Sequence, residues 1–170
     1  MTARVALLMG SDSDFERLKP AVQIFQDFGV AVEVRVLSAH RTPDEVVRFV
    51  TEAPERGIRV FLCAAGGAAH LAGVVTAHTT LPVLGIPLDN PPLGGLDALL
   101  STVQMPGGVP VATFGVGRGG PDNAALFALR ILALADPALA AQLERFRGDQ
   151  RDKVRKRDAA LQDALRARPA

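Results

Sequence analysis

The chain contains no tryptophan and no tyrosine, and one cysteine in 170 residues. A single thiol excludes an intrachain disulfide framework and any zinc site built from several cysteines, and a reducing cytoplasm fits that usage. Neither sign of charge dominates: 19 Lys and Arg face 18 Asp and Glu, for a net charge of +1, so no global field draws in nucleic acid or an anionic membrane surface. No segment reaches the roughly 20 uninterrupted apolar residues of a membrane span. The first residues, Met1-Thr2-Ala3-Arg4-Val5, pass straight into a strand-like run with no signal-peptide pattern. Together these absences predict a cytoplasmic protein without a nucleic-acid or membrane partner. Familiar catalytic signatures are missing too: there is no Gly-x-x-x-x-Gly-Lys-Ser/Thr phosphate loop and no Gly-x-Ser-x-Gly elbow, and Cys63 lies inside an apolar run.

What remains is apolar and aliphatic. Five short runs, Val5 to Met9, Ala31 to Leu37, Ile58 to Ala64, Pro82 to Pro87 and Val109 to Val116, read as strands. Most are apolar almost throughout, as strands covered by helices on both faces require. Helical patterns fall between them. Ser13-Asp14-Phe15-Glu16 has capping-box spacing and opens a helix to Phe28, stopped by Gly29 and bent at Pro20; Thr42-Pro43-Asp44-Glu45 opens another that Gly57 ends. Further helices are expected at Ala69 to His78, Leu96 to Val103 and Asn123 to Leu134. The alternation predicts an α/β protein: a three-layer αβα, flavodoxin-like, doubly wound parallel sheet with right-handed crossovers.

From Pro137 to Arg168 the pattern changes to a polar C-terminal helical arm with sparse apolar positions and Gly148 as a weak point. Its Arg- and Lys-rich part has Glu144, Asp149, Asp152 and Asp158 interleaved, which reads as a solvated face or a subunit contact rather than a nucleic-acid patch. We read residues 1–170 as a single domain, with a core over about 4–135 and the arm over about 137–168. High apolarity for the size implies that some surface meets another subunit.

Ligands of an open parallel sheet bind beyond the carboxyl ends of its strands, so the loops there carry the chemistry. The first is Gly10-Ser11-Asp12-Ser13-Asp14. Its small hydroxyls and free backbone N–H groups can hold a phosphate, although Ser13 can equally cap the helix. Asp14 can complement the helix dipole or accept hydrogen bonds from ribose hydroxyls. The second loop, Ser38-Ala39-His40-Arg41-Thr42, sets a proton-exchanging side chain beside a permanent fork of donors. The third, Ala64-Ala65-Gly66-Gly67-Ala68-Ala69-His70, has almost no side-chain bulk and lets a ligand approach backbone N–H groups; His70 is a ligand contact or a helix-end residue. The three histidines lack close ligand spacing, so no metal is expected. Proton transfer by histidine is the chemistry left. The stretch Asn90 to Gly95, rich in Pro and Gly, reads as a surface loop.

These loops, with Leu81-Pro82-Val83-Leu84-Gly85-Ile86-Pro87 and the run from Ser101-Thr102-Val103-Gln104-Met105-Pro106-Gly107-Gly108 to Thr113, resemble the class I PurE family, the N5-carboxyaminoimidazole ribonucleotide mutases of purine biosynthesis. The resemblance runs from about Val5 to Leu134. It implies a reaction that moves a carboxylate from the exocyclic nitrogen of an aminoimidazole ribonucleotide to its ring carbon, without metal or organic cofactor. It implies His40 as general acid and base, with Ser11, Ser38, Ala65, Gly66 and His70 around the migrating carboxyl group. Ser13 and Arg41 match phosphate contacts and Asp14 a ribose contact. Relatives that carboxylate free aminoimidazole ribonucleotide tend to have Lys after the equivalent His, so Arg41 favours the mutase. The chain departs from the pattern at Ala72, where Pro is usual, and at His78, where Lys is common. The resemblance also implies a homo-octamer with sites shared between subunits. The alternatives are the aminoimidazole ribonucleotide carboxylase and a flavodoxin-like nucleotide-binding module without catalysis.

Overall fold

The computed structural model describes residues 2–167. Five parallel strands, β1 (Val5–Met9), β2 (Val32–Val36), β3 (Val60–Ala65), β4 (Val83–Pro87) and β5 (Ala112–Thr113), form one sheet in the order β2-β1-β3-β4-β5. This is the expected doubly wound, flavodoxin-like order, and it reverses between β1 and β3. Parallel strands need crossovers, and α1 (Phe15–Asp27), α2 (Pro43–Glu52), α3 (Leu71–Thr76), α4 (Leu96–Val103) and α5 (Gly119–Ala133) follow the strands in turn.

The core explains why the central strands read as unbroken apolar runs. Every residue of β1 and β4 is buried, as are Val60 to Ala64 of β3. Side chains alternate across the sheet. On one face Ala6, Leu8, Phe61 and Cys63 join Val46, Phe49 and Val50 of α2 and Leu71, Ala72 and Val75 of α3 in one cluster. Gly85 in the middle of β4 admits α4 closely: a Cβ there would collide with the Thr102 methyl group.

Several boundaries differ from the expected ones, each for a local reason. β5 shrinks to two residues because it is an edge strand and Pro110 has no N–H to give to a ladder. The capping box at Ser13 does not form. A 3-10 turn over Asp12–Asp14 precedes α1, and Ser11 is its cap, accepting from the Ser13 backbone N–H at 3.4 Å. Thr42 makes no cap bond to α2. Its hydroxyl instead accepts from the Ser38 N–H at 3.0 Å and donates to the Ser38 carbonyl at 3.2 Å, closing the second loop on itself. α2 ends at Glu52, five residues before Gly57.

The chain divides after Ile131 into two compact units. The second contains α6 (Pro137–Arg166), whose cap Asp136 accepts from the Leu139 N–H at 3.1 Å with Pro137 in its first turn. Gly148 does not interrupt it. Arg168, where the arm was expected to end, lies outside the described residues. Among the described residues no helix is long and apolar enough to cross a membrane.

Candidate active site

Strand register sets the loops level with one another. Met9 pairs with Val36 on one side and Ala64 on the other, so the loops after β1, β2 and β3 leave the sheet side by side at the point where strand order reverses. Ligands are expected at such a switch point, because loops leaving to opposite faces open a crevice between them. A cleft of about 370 Å³ lies there.

All nine residues expected from the sequence, Ser11, Ser13, Asp14, Ser38, His40, Arg41, Ala65, Gly66 and His70, line this one cleft. Arg41 ties two of the loops. Its Nη2 donates to the Gly10 carbonyl at 2.7 Å, its Nε to Ser38 Oγ at 3.4 Å, and its backbone N–H to the same Oγ at 3.3 Å. Ser11 Oγ and Ser13 Oγ lie 2.8 Å apart in the turn that precedes α1. His40 Nε2 is 2.8 Å from His70 Nδ1, with the rings edge to face at 85°. One nitrogen of that pair must donate and the other accept, so each ring constrains the tautomer of its neighbour.

The third loop is held from outside the cleft. Ser101 Oγ accepts from the Ala69 N–H at 3.0 Å and donates to the Asp97 carbonyl at 2.8 Å, anchoring the loop to α4. Gly67 adopts φ 64°, a conformation that glycine reaches without strain.

Asp14 is nearly buried. Burial pushes its carboxyl above the ordinary value of 3.8, with Arg17 and the Ser11 backbone pulling the other way and Asp12 adding to the rise. Cys63 offers no rival nucleophile, since burial in β3 raises its thiol far up and keeps it protonated.

Of the lining residues beyond those nine, Asn90 is the one with a polar side chain, and it escaped the sequence reading. Asn90, assigned there to a surface loop, follows β4, and the Leu88 N–H donates to the Ala65 carbonyl at 2.9 Å and brings this fourth loop to the cleft. The signal was available: Asn90 lies just past the carboxyl end of a strand, as the other three loops do.

Comparison with known proteins bears on the chemistry. Residues 4–153 match the family described as AIR carboxylase. The chain belongs to the AIR carboxylase family. Similar proteins include the N5-carboxyaminoimidazole ribonucleotide mutase of Saccharolobus solfataricus, 50% identical over 89% of this chain and 94% of its own. That of Bacillus subtilis is 48% identical over 91% and 95%. Among solved structures, Treponema denticola PurE superposes with a TM-score of 0.82 at 28% identity, covering 92% of this chain and 97% of its own. A substituted form of Treponema denticola PurE2 gives 0.85 at 27%, covering 95% and 99%.

Proposed function

We propose that this chain is an N5-carboxyaminoimidazole ribonucleotide mutase, an isomerase of purine biosynthesis, in which His40 carries the proton in both half-reactions. The supporting observation is the pair of His40 and His70, 2.8 Å apart in the cleft that also holds the side-chain-poor loop at Ala65 and Gly66. His40 first protonates the exocyclic nitrogen; the N–C bond breaks, its electron pair staying on nitrogen, and carbon dioxide is released. The ring carbon then attacks carbon dioxide, and His40 takes the proton from that carbon, which restores the starting protonation state. Atoms and charge balance without a cofactor.

The remaining roles follow from what each group can do. Ser11, Ser38, Ala65, Gly66 and His70 surround the carboxyl group and hold carbon dioxide between the two steps. Ser13 and Arg41 take the phosphate, where the start of α1 favours an anion. Asp14 accepts from the ribose.

We read residues 1–170 as one catalytic domain, core and arm together, acting in the cytoplasm as a homo-octamer. The cleft of a single chain leaves His40 and His70 exposed, and carbon dioxide is better retained if a neighbouring subunit closes it. The exposed side chains of Leu96, Leu100 and Val103 on α4, spaced as one helical stripe, give such a neighbour an apolar face.

The test is an ultraviolet assay of the purified protein with N5-carboxyaminoimidazole ribonucleotide in bicarbonate-depleted buffer, beside His40→Asn. The ring-carboxylated isomer is expected from wild type alone. The family description makes the carboxylase the second reading; turnover solely with aminoimidazole ribonucleotide and bicarbonate would favour it. Ligand binding with no conversion of either substrate would favour a non-catalytic module.

A further inference from the structure

Asn90 in the cleft has no part in the roles above, and neither have Arg17 and Asp89, which line a separate pocket. Arg17, on the first turn of α1, donates through Nη1 to Asn90 Oδ1 at 2.6 Å, and its Nε lies 3.5 Å from Asp89 Oδ1. The ion pair is half exposed, with the Arg17 and Asp89 side chains at 41% and 50%, so it adds little to stability. Its effect is on orientation. A guanidinium only donates, so the Asn90 amide must turn its oxygen to Arg17 and its NH2 away. The NH2 end sits against Gly66, where a Cβ would collide with Nδ2 and lie 2.7 Å from Cγ. Asn90 thus presents a fixed donor within a cleft that it lines together with Asp14.

Asp14 lines the same cleft as Asn90 and is close enough to Arg17 for the guanidinium to act on its carboxyl. A ribose hydroxyl both donates and accepts. Asp14 satisfies the donating half, and Asn90 supplies what Asp14 cannot, a donor to the hydroxyl oxygen. We propose that Asn90 is a substrate-positioning residue whose Nδ2 donates to a ribose hydroxyl of the bound ribonucleotide. Arg17, held by Asp89, fixes the direction of the amide. This rests on the mutase reading for the nature of the ligand, and on the geometry for the role of the amide.

The experiment compares wild type, Asn90→Ala, Asn90→Asp, Arg17→Met and Arg17→Lys on N5-carboxyaminoimidazole ribonucleotide and on its 2′-deoxy and 3′-deoxy forms. One hydrogen bond to a polar ligand corresponds to about tenfold in affinity. Asn90→Ala is therefore expected to raise KM about tenfold with kcat within about twofold. Against the deoxy substrate lacking the contacted hydroxyl, Asn90→Ala and wild type should have equal KM. Asn90→Asp is isosteric and keeps an oxygen toward Arg17, so it preserves local packing while removing the donor; its KM should rise at least as far. Arg17→Met should raise KM with kcat unchanged, and Arg17→Lys should recover part of the loss. Equal factors on all three substrates, or an unchanged KM in both Asn90 variants, would overturn the proposal. Equilibrium titration with the ring-carboxylated ribonucleotide and its deoxy forms makes the same comparison without turnover. A wild type that binds these ligands but converts none sinks the mutase reading alone, whereas one that binds none overturns both.

Discussion

β3 and α6 stand at opposite ends of what one chain can do for its own side chains. β3 has six residues, and Val60 to Ala64 are all but inaccessible. α6 has thirty residues, about 45 Å of helix at 1.5 Å per residue, and from Asp149 to Ala167 every residue is exposed. Val154, Leu161 and Leu165 are among them, at 64%, 56% and 50%. Exposed pairs such as Arg147 with Glu144 and Arg155 with Asp152 are what α6 makes for itself along its length. The strand gains its order from burial; the helix has backbone propensity and surface pairs, and its apolar side chains Val154, Leu161 and Leu165 stay exposed. An apolar residue in the sequence therefore means different things in the two regions.

The sharpest way to break this contrast is at the site that the buried strands support. His40→Asn should lower kcat by about 10²- to 10⁴-fold, the usual worth of general acid–base catalysis, with ligand affinity within a few-fold, as read by the ultraviolet assay and by titration. Next comes the core: Phe61→Ala should cost about 3–5 kcal/mol in urea unfolding, against less than about 0.5 kcal/mol for Leu161→Ala at low protein concentration. If Leu161→Ala matters at higher concentration, sedimentation should show a smaller assembly.

Asp14→Asn sets function against stability. The raised carboxyl makes the folded chain bind more protons than the unfolded one between the ordinary and the raised value, so stability falls as pH climbs through that window. The variant should therefore melt higher than wild type near neutral pH, match it below the window, and bind the ribonucleotide more weakly. The smallest effect is expected from Arg155→Ala, a few tenths of a kcal/mol at low salt and nothing measurable at high salt.

Sheet and site were legible in the sequence to different depths. β1, β3 and β4 could be read because strands covered on both faces must be apolar at every position, and the order of alternation implies crossovers. β5 could not be bounded, because an edge strand is fixed by tertiary pairing and Pro110 removes a donor from the run that looked extended. The hydroxyls of Ser13 and Thr42 were read as caps because spacing is local information; in the fold Ser11 takes the first role, and Thr42 bonds to Ser38. The site residues were found one loop at a time, since each loop follows a strand. Their mutual contacts were out of reach. His40 and His70 are 30 residues apart, and the family resemblance alone puts both in one site; Arg17 and Asn90 are 73 apart, and nothing in the sequence announces that they meet.

With neither tryptophan nor tyrosine, the chain is silent to the intrinsic fluorescence by which unfolding is usually followed. Cys63 makes good the loss. It is the one thiol of the chain, 2% exposed in the strand between β1 and β4 and packed under α2 and α3, and a reagent can reach it only when this core opens. Its labelling rate under native conditions thus becomes a clock for opening of that core. Any ligand of the cleft can be weighed by how far it slows that clock, whether or not it is ever turned over.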